Sequence, residues 1–210
     1  MLLFLFFVII NVEVEIMKKI ALDLDGVVFD SENLYRVYTE IYDVEVKKCD
    51  NIIDNTKRTF QKRYNWEQTE FSEFYNRYSS EVLKSANIMT GAEIIIPKLT
   101  KYFEVIIVTA RSDSEMKYAL NKFESINLEN VKIYNNEHQK IDKYLYEKVD
   151  YIIDDDETIC LNASEKSITA LYFKNNASNL LIENEYLKNV NNWGEIYKYL
   201  MLKEHIEIEG

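Results

Sequence analysis

The sequence predicts an α/β protein with a Rossmann-like, doubly wound parallel sheet of five strands. Three short apolar runs, at residues 20–22, 105–108 and 151–153, carry this prediction because each ends abruptly in polar residues. Continuous apolar runs of this length are typical of strands that are buried on both faces of a sheet. From residue 104 to residue 173 such runs alternate with helical patterns. That alternation favours a parallel sheet with helices on both faces.

The individual elements follow from hydrophobic spacing and from capping residues. After the first strand, apolar residues recur at helical spacing from Leu34 to Ile41, and Ser31 is placed to cap that helix. Asn192 is placed in the same way before an amphipathic helix near the C-terminus. The remaining predicted elements are helices at 54–63 and 67–86, a strand at 104–109, a helix at 113–124, a strand at 131–134, a helix at 140–148, a strand at 150–154, a helix at 156–163, a strand at 168–173 and a helix at 193–203.

Composition limits the range of partners. The chain has 210 residues, of which 47% are hydrophobic, and a formal net charge of −11. This is enough apolar sequence for one domain of ordinary size plus a small insertion. The negative charge argues against binding a nucleic-acid polymer, which requires clustered Lys and Arg, but it leaves small phosphorylated metabolites open as partners. Cys49 and Cys160 form no CxxC pair, which favours free thiols in a reducing cytoplasm.

Residues 1–16 need a separate interpretation. The first ten residues are almost wholly apolar, but a run of ten is too short to cross a bilayer as a helix. No positive charge precedes the run and no small-residue cleavage site follows it, so the pattern is not that of a signal peptide. We favour a mispredicted or disordered extension, with Met17 as the natural start; an extra apolar strand or a membrane anchor are the alternatives. We therefore expect a cytoplasmic protein without a membrane partner.

Candidate functional residues stand where the predicted strands end. The segment DLDG (23–26) follows the first strand, TAR (109–111) follows the second, and DDD (154–156) ends a later one, while Lys140 begins a predicted helix. In an open parallel sheet, ligands bind at the carboxyl ends of the strands. Two carboxylates held together at a strand end favour a divalent cation between them. A lone DxDG is common in solvated turns, so the inference depends on the four segments together.

Taken in order, these four segments resemble the four motifs of the haloacid dehalogenase (HAD) superfamily of phosphohydrolases. The resemblance covers roughly residues 18–175. Asp23 and Thr109 are 86 positions apart (109 − 23), whereas Thr109 and Lys140 are only 31 apart (140 − 109). The extra sequence therefore lies between the first and second motifs, and the short second gap leaves no room for a larger cap there.

The resemblance implies a division of the chain into two domains. Residues 17–30 and 89–210 would form the core domain, and residues 31–88 a small helical cap domain inserted after the first strand. The family also places a helix before the second strand, here over residues 91–102. Pro97 inside that segment is a departure, which predicts a kink or a late start.

The same resemblance implies different roles for two carboxylates. Asp23 corresponds to the family nucleophile, which attacks phosphorus and forms an aspartyl-phosphate. Asp25 corresponds to the general acid for the leaving oxygen and then to the base that activates water, which requires it to hold a proton that Asp23 does not. Lys140 would supply positive charge to the pentacoordinate state and steady Asp23; the plain alternative is a surface lysine.

Magnesium is the cofactor that the resemblance implies. Mg²⁺ would contact Asp23, the backbone carbonyl of Asp25 and a carboxylate of the acidic run. Within that run we favour Asp155 as the ligand, with Asp154 beside it, and we expect Asp156 to cap the following helix. Hard oxygen ligands suit Mg²⁺ better than zinc.

The expected substrate-binding residues are Thr109, Ala110, Arg111 and Lys140. Thr109 offers its hydroxyl to phosphate oxygens, and Ala110 offers a neighbouring backbone N–H. Arg111 follows closely enough to clamp a substrate phosphate, although a surface salt bridge explains it nearly as well.

The substrate is less determined than the chemistry. The cap position and the pattern DLDGVV…TAR…IDD resemble the 5'-nucleotidase branch, including deoxyribonucleotidases, and so favour a nucleoside monophosphate. Sugar-phosphate and phosphoglycolate phosphatases share that cap position, and a phosphomutase or a catalytically silent phosphometabolite-binding module are further alternatives. Exposed tyrosines would also suit a homodimer. Aromatic and cationic residues of the cap could stack on a base, although most should hold its helices together: Tyr35, Tyr38, Phe60, Arg63, Tyr64, Trp66, Phe71, Tyr75 and Arg77.

Overall fold

A parallel sheet forms the centre of the molecule. The computed structural model describes residues 17–48, 51–174 and 177–207. Its strands are β1 Lys19–Leu22, β2 Glu104–Val108, β3 Lys132–Tyr134, β4 Tyr151–Asp154, β5 Thr169–Phe173 and β6 Leu187–Val190. They pair in parallel in the order β3-β2-β1-β4-β5-β6. The direction of winding reverses between β1 and β4, which makes the gap beyond their carboxyl ends the expected ligand position.

The doubly wound parallel sheet is confirmed, but the prediction of five strands is wrong. The sixth strand, β6, pairs with β5 and forms one edge of the sheet. Leu187 and Val190 are buried, whereas Lys188 and Asn189 between them are partly exposed. A four-residue edge strand with two polar residues contains no apolar run, so a prediction based on apolar runs could not find it.

Three helices lie between β1 and residue 88: α1 Ser31–Glu45, α2 Phe60–Arg63 and α3 Gln68–Ser85. The helix expected over 54–63 forms only at its end. The Asp54 carboxylate accepts hydrogen bonds from the backbone N–H and the hydroxyl of Thr56, at 2.9 and 2.6 Å, and folds this segment as a turn. Ser31 is the first helical residue and not the N-cap, which is Asp30.

The helices that follow are α4 Ala92–Leu99, α5 Asp113–Phe123, α6 Lys140–Glu147, α7 Glu157–Glu165 and α8 Trp193–Lys203, with a short 3₁₀ turn at Glu124–Ile126. Helix α4 contains Pro97 and ends before residue 102, where the sequence led us to expect its end. Asp156 caps α7 by accepting hydrogen bonds from two backbone amides of the first turn. Asn192 caps α8 by accepting one amide at 3.0 Å, so two of the three predicted caps are confirmed and the one at Ser31 is wrong.

Apolar side chains fill both faces of the sheet. Leu22 and Ile153 belong to the larger cluster on one face, and Ala21 and Ile152 belong to the cluster on the other. Alternation along each strand sends successive residues to opposite faces, which is why uninterrupted apolar runs were needed. A separate aromatic cluster packs the segment between β1 and β2: Tyr42, Tyr64, Trp66, Phe71 and Phe74.

Among the described residues there is no helix long and apolar enough to cross a membrane. The interpretations of residues 1–16 and of Cys49 concern positions outside those that the structure describes. Cys160, on α7, is a free thiol buried in the same cluster as Ala21 and Ile152.

Candidate active site

The four predicted segments meet at the carboxyl edge of the sheet. Strands β2, β1 and β4 are neighbours, so Thr109, Asp23 and Asp154 lie side by side where those strands end. The backbone N–H of Asp23 donates to the carbonyl of Ile153 at 3.0 Å and continues the strand pairing into the site. Lys140, at the start of α6, enters the same space, and its side chain is buried with the others. The structure thus brings together residues that the sequence scatters over 130 positions.

Lys140 lies between two carboxylates. Its Nζ is 3.0 Å from Asp23 Oδ1 and 2.8 Å from Asp154 Oδ2. Burial raises the pKa of Asp23 to about 6, although the charge of Lys140 opposes that shift. Burial alone would lower the pKa of Lys140, but the charges of Asp154 and Asp23 outweigh it and raise the pKa. Lys140 is therefore charged at neutral pH and is no ordinary surface lysine.

Asp25 is held by hydrogen bonds from two side chains. Arg111 pairs with it through both arms of the guanidinium, Nε to Oδ2 at 2.8 Å and Nη2 to Oδ1 at 2.7 Å. The Ser31 hydroxyl donates to Oδ1 at 2.5 Å. Burial would raise the pKa of Asp25, but these hydrogen bonds and the charge of Arg111 outweigh it and lower the pKa. Arg111 thus makes a buried ion pair inside the site, where the sequence offered a phosphate clamp or a surface salt bridge.

Asp23, Asp154 and Asp155 form the group of carboxylates, among the described residues, that could hold a metal ion. Their ligand atoms lie within 4.8 Å of one another. Both oxygens of Asp154 already accept hydrogen bonds, from Lys140 and from the backbone N–H of Asp156. Oδ1 of Asp155 is buried and accepts no hydrogen bond, and the buried Oδ2 has the Arg58 guanidinium as its ion-pair partner at 2.7 Å. An all-oxygen donor set with an orphaned carboxylate oxygen fits Mg²⁺, and Asp155 is the freer ligand.

The side chain of Asp25 is not part of this carboxylate group, since it is turned toward Arg111. Only the backbone carbonyl of Asp25 is therefore left to contact a metal, as the resemblance of the motifs implied. Burial raises the pKa of Asp155 well above its usual range, although the charge of Arg58 opposes this. Desolvation thus favours the neutral carboxyl of Asp155, and a cation bound beside it would favour the charged form.

Gly26 makes the close approach of Asp155 possible. Its φ is +81°, a left-handed conformation that side chains rarely adopt. A Cβ at this position would lie 2.1 Å from Asp155 Oδ2. The glycine of the first motif is therefore required both for the turn after Asp25 and for the space that Asp155 occupies.

Thr109 and Ala110 line the inner part of the site. The backbone N–H of Thr109 donates to the carbonyl of Tyr134 at 2.9 Å and is not available to a ligand. The Thr109 hydroxyl accepts from the backbone N–H of Arg111 at 3.3 Å and keeps its own proton to donate. Thr109 and Ala110 border a cleft of about 200 Å³ together with Asp23, Asp25 and Lys140.

A larger cavity of about 500 Å³ adjoins this cleft and opens between the segment 31–88 and the sheet. Asp25, Arg111 and His138 are among the residues that line it. The aromatic residues Tyr35, Phe60 and Tyr75 form its upper wall, with the Tyr75 hydroxyl donating to Glu115 at 2.8 Å. Most of the other aromatic residues of the segment pack against one another instead, as the sequence led us to expect.

Arg58 is the residue of this site that sequence reasoning missed. Its Nε lies 2.7 Å from Asp155 Oδ2, and Nη1 lies 3.8 Å from Asp156 Oδ2. Burial would lower its pKa, but the charge of Asp155 outweighs this and raises it, so Arg58 stays charged. It stands in a loop before α2, where no periodic pattern or motif marks it among the other cations of the segment.

Of the comparisons with known proteins, the one with solved structures found matches. No protein-family model matches the sequence, and no curated protein matches it either. A haloacid dehalogenase-like hydrolase from Streptococcus pneumoniae superposes with a TM-score of 0.65 at 18% identity, over 88% of this chain and 98% of that one. The HAD hydrolase YfnB from Bacillus subtilis, solved with bound magnesium, gives 0.58 at 15% identity, over 88% and 98%.

A third neighbour is described as a predicted phosphoglycolate phosphatase, from Haemophilus somnus. It superposes with a TM-score of 0.58 at 14% identity, over 88% of this chain and 98% of that one. Identities this low show the fold and nothing finer. The chain has the α/β fold of the haloacid dehalogenase-like hydrolases.

Proposed function

We propose that this protein is a phosphomonoester hydrolase that works through an aspartyl-phosphate on Asp23. The observation that carries the proposal is the buried group formed by Asp23, Lys140, Asp154 and Asp155 at the switch point of the sheet. It combines a nucleophile, a cation and a buried carboxylate suited to a metal. A purely structural role would not leave the buried Oδ1 of Asp155 without a hydrogen bond.

Two displacements complete the reaction. In the first, an oxygen of Asp23 attacks phosphorus, the bond from phosphorus to the leaving oxygen breaks, and Asp25 gives that oxygen a proton. In the second, Asp25 takes a proton from water, whose oxygen attacks phosphorus and releases inorganic phosphate and the Asp23 carboxylate. Lys140 faces the charge that develops on the equatorial oxygens, and the Thr109 hydroxyl donates to one of them.

The first displacement requires Asp25 to be protonated and Asp23 to be ionised, so the pKa of Asp25 must be the higher one. From protein groups alone the order is reversed, because the pKa of Asp23 is raised and that of Asp25 is lowered. The pKa of Asp23 falls when a cation is bound beside it. That of Asp25 rises when a phosphate dianion lies close to it. We therefore expect the working order of the two pKa values only in the enzyme–substrate complex.

Asp23 and Asp155 are the side chains that would hold Mg²⁺, together with the backbone carbonyl of Asp25, and Asp154 lies beside them. Bound there, the ion supplies charge neutralisation, so that a carboxylate nucleophile and a phosphate dianion can approach each other. The magnesium bound to the similar fold of YfnB supports this choice of metal.

We favour a nucleoside monophosphate as the substrate. A cavity of about 500 Å³ has room for a nucleoside, and the wall formed by Tyr35, Phe60 and Tyr75 offers flat apolar surfaces to a base. Phosphoglycolate or a small sugar phosphate is the second candidate, which the neighbour from Haemophilus somnus supports equally well. We place the reaction on small phosphorylated metabolites in either case.

The test is phosphate release by the purified protein from nucleoside monophosphates, sugar phosphates and phosphoglycolate, with Mg²⁺ or with EDTA. We expect release that depends on Mg²⁺, favours one substrate class and is abolished in Asp23→Asn. Asp23→Asn keeps the shape of the side chain, so an unchanged melting temperature separates lost chemistry from lost folding. Absence of release from every substrate by folded, Mg²⁺-loaded protein would replace this proposal with a mutase or a catalytically silent binding module.

A further inference from the structure

Arg58 links the segment 31–88 to the catalytic cleft. Among the described residues of that segment, it alone lines both the 500 Å³ cavity and the inner cleft that contains Asp23, Thr109 and Lys140. About 25% of its side chain remains exposed. A phosphoryl group bound beside Asp23 therefore shares the inner cleft with Arg58.

The loop that carries Arg58 is held in place by a second arginine. Arg36, on α1, donates from Nη1 to the carbonyl of Asn55 at 3.1 Å and from Nη2 to the carbonyl of Lys57 at 3.0 Å. Its Nε pairs with the buried carboxylate of Glu32 at 3.1 Å, one helical turn earlier. Arg36 thus ties the carbonyls of Asn55 and Lys57 to α1, and these contacts fix the backbone that leads directly into Arg58.

The other cations of the site are already committed to carboxylates. Lys140 divides its charge between Asp23 and Asp154, and Arg111 uses Nε and Nη2 on Asp25, which leaves it only the buried Nη1. A phosphoryl group in transfer carries charge on three equatorial oxygens, and hydrogen bonds to charged donors stabilise it most. Arg58 has one carboxylate contact within hydrogen-bond distance, to Asp155 at 2.7 Å. It therefore has donors to spare for a ligand in the cleft.

We propose that Arg58 is a catalytic residue that binds the transferring phosphoryl group from the cap side, and that Arg36 is the positioning residue that sets its loop. The inference rests on the proposed phosphoryl transfer and adds two residues to it. Arg58 forms no bond and moves no proton; it stabilises equatorial oxygens while Asp23 and the leaving oxygen exchange places on phosphorus.

The experiment compares Arg58→Gln with Lys57→Gln, which removes the same charge from the neighbouring side chain. Lys57 pairs with Glu157 at 3.9 Å and does not line the inner cleft. We expect Arg58→Gln to lower kcat/KM at least about 10²-fold on every phosphomonoester that wild type hydrolyses, since a lost charged donor at a transition state has that size of effect. Lys57→Gln should stay within about threefold of wild type, because exposed charges act weakly.

Binding gives a readout that does not need turnover. Orthovanadate mimics the trigonal bipyramid, and we expect its affinity to fall about 10- to 100-fold in Arg58→Gln, which is the range for a hydrogen bond to a charged group. The affinity for inorganic phosphate should fall less. Guanidinium ion in the millimolar range should restore part of the activity of Arg58→Ala. Arg58→Lys should keep the positive charge but lose the planar guanidinium that can donate two hydrogen bonds to one phosphate.

Arg36 is tested through Arg58. Arg36→Gln should lower kcat with little change in melting temperature, and it should have no further effect in the Arg58→Gln background, because both act through one guanidinium. Losses that simply multiply would overturn the positioning role.

Each remaining outcome decides one claim. Wild-type turnover with unchanged kcat/KM and vanadate affinity in Arg58→Gln overturns the role of Arg58 and leaves the phosphatase intact. A loss confined to substrates with a second anionic group also overturns it, since the contact would then be to the leaving group. If wild type releases no phosphate, the proposed function fails, and equal vanadate and phosphate affinities in wild type and Arg58→Gln would then reject Arg58 separately.

Discussion

Gly26→Ala is the substitution that probes the site most directly. The new methyl group would lie 2.1 Å from Asp155 Oδ2 and 2.6 Å from its Cγ. Ordinary van der Waals contact begins at 3.4 Å, so the carboxylate must move by 1.3 Å or the loop must shift by as much. Because Asp155 is buried against the sheet, it has little room to retreat.

Two costs follow from this geometry. A left-handed φ of +81° costs an alanine about 1–2 kcal/mol relative to glycine, which lowers the melting temperature of a protein of this size by about 2–8 °C. Displacing a functional group by 1 Å costs about 10²-fold in rate. We therefore expect Gly26→Ala to lose at least about 10²-fold in kcat/KM and at least about 10-fold in Mg²⁺ affinity, since a metal ligand has moved.

Gly91→Ala provides the matched control. Gly91 also has a positive φ, +91°, but a Cβ there would lie 3.3 Å from Trp193 Cβ, a contact that a few tenths of an ångström relieve. Gly91→Ala should therefore lose stability in thermal melts mainly through its φ, and Gly26→Ala should lose at least as much because it adds the clash with Asp155. Only Gly26→Ala should lose Mg²⁺ affinity, measured by titration calorimetry, and phosphate release.

One result would refute this reasoning about Asp155. If Gly26→Ala binds Mg²⁺ and hydrolyses its substrate as well as Gly91→Ala does, Asp155 is not the ligand that needs the space. The acidic run would then have to supply the metal through Asp154 alone.

Three further predictions concern stability and charge. Glu147→Gln should lower the free energy of unfolding by about 1–2 kcal/mol at pH 7, because hydrogen bonds led by the Tyr134 hydroxyl lower the pKa of Glu147 to about 2. In urea titrations that deficit should disappear as the pH falls from 4.5 to 2, since the wild-type carboxylate then becomes protonated. Asp43→Ala should cost about 1–3 kcal/mol in denaturant unfolding, because the indole N–H of buried Trp66 loses its acceptor at 2.8 Å. Lys140→Met should destabilise the fold by about 3–5 kcal/mol in thermal melts, because it leaves two buried carboxylates unpaired, and should lower kcat about 10²-fold or more.

Controls separate these effects from general damage. A Glu147→Gln deficit of equal size at pH 2 and pH 7 would contradict the linkage argument. Asp43→Asn keeps an acceptor for Trp66 and should retain most of the stability. Lys143→Met removes a nearby lysine whose partner is Glu137 at 3.1 Å, and it should leave kcat unchanged.

The sequence by itself determined the sheet and the meeting point of its motifs. Apolar runs that end in Asp23, Thr109 and Asp154, alternating with helical patterns, favoured buried parallel strands, and parallel strands bring their carboxyl ends to one edge. The convergence of residues far apart in the chain then followed without any knowledge of contacts. Caps at Asp156 and Asn192 were equally readable, because capping depends on neighbours in sequence.

Only the tertiary structure decided which partners these side chains take. Arg111 lies two residues from Thr109 and was open to a phosphate or to the surface, but its contact with Asp25 spans 86 positions. Arg58 stands in a turn without periodicity, and its approach to Asp155 depends on how the segment 31–88 folds over the sheet. Hydrophobic period and local capping record which face of an element is buried and where it ends. They do not show which of several arginines or lysines in distant loops will pair with a given carboxylate, because that depends on packing between elements.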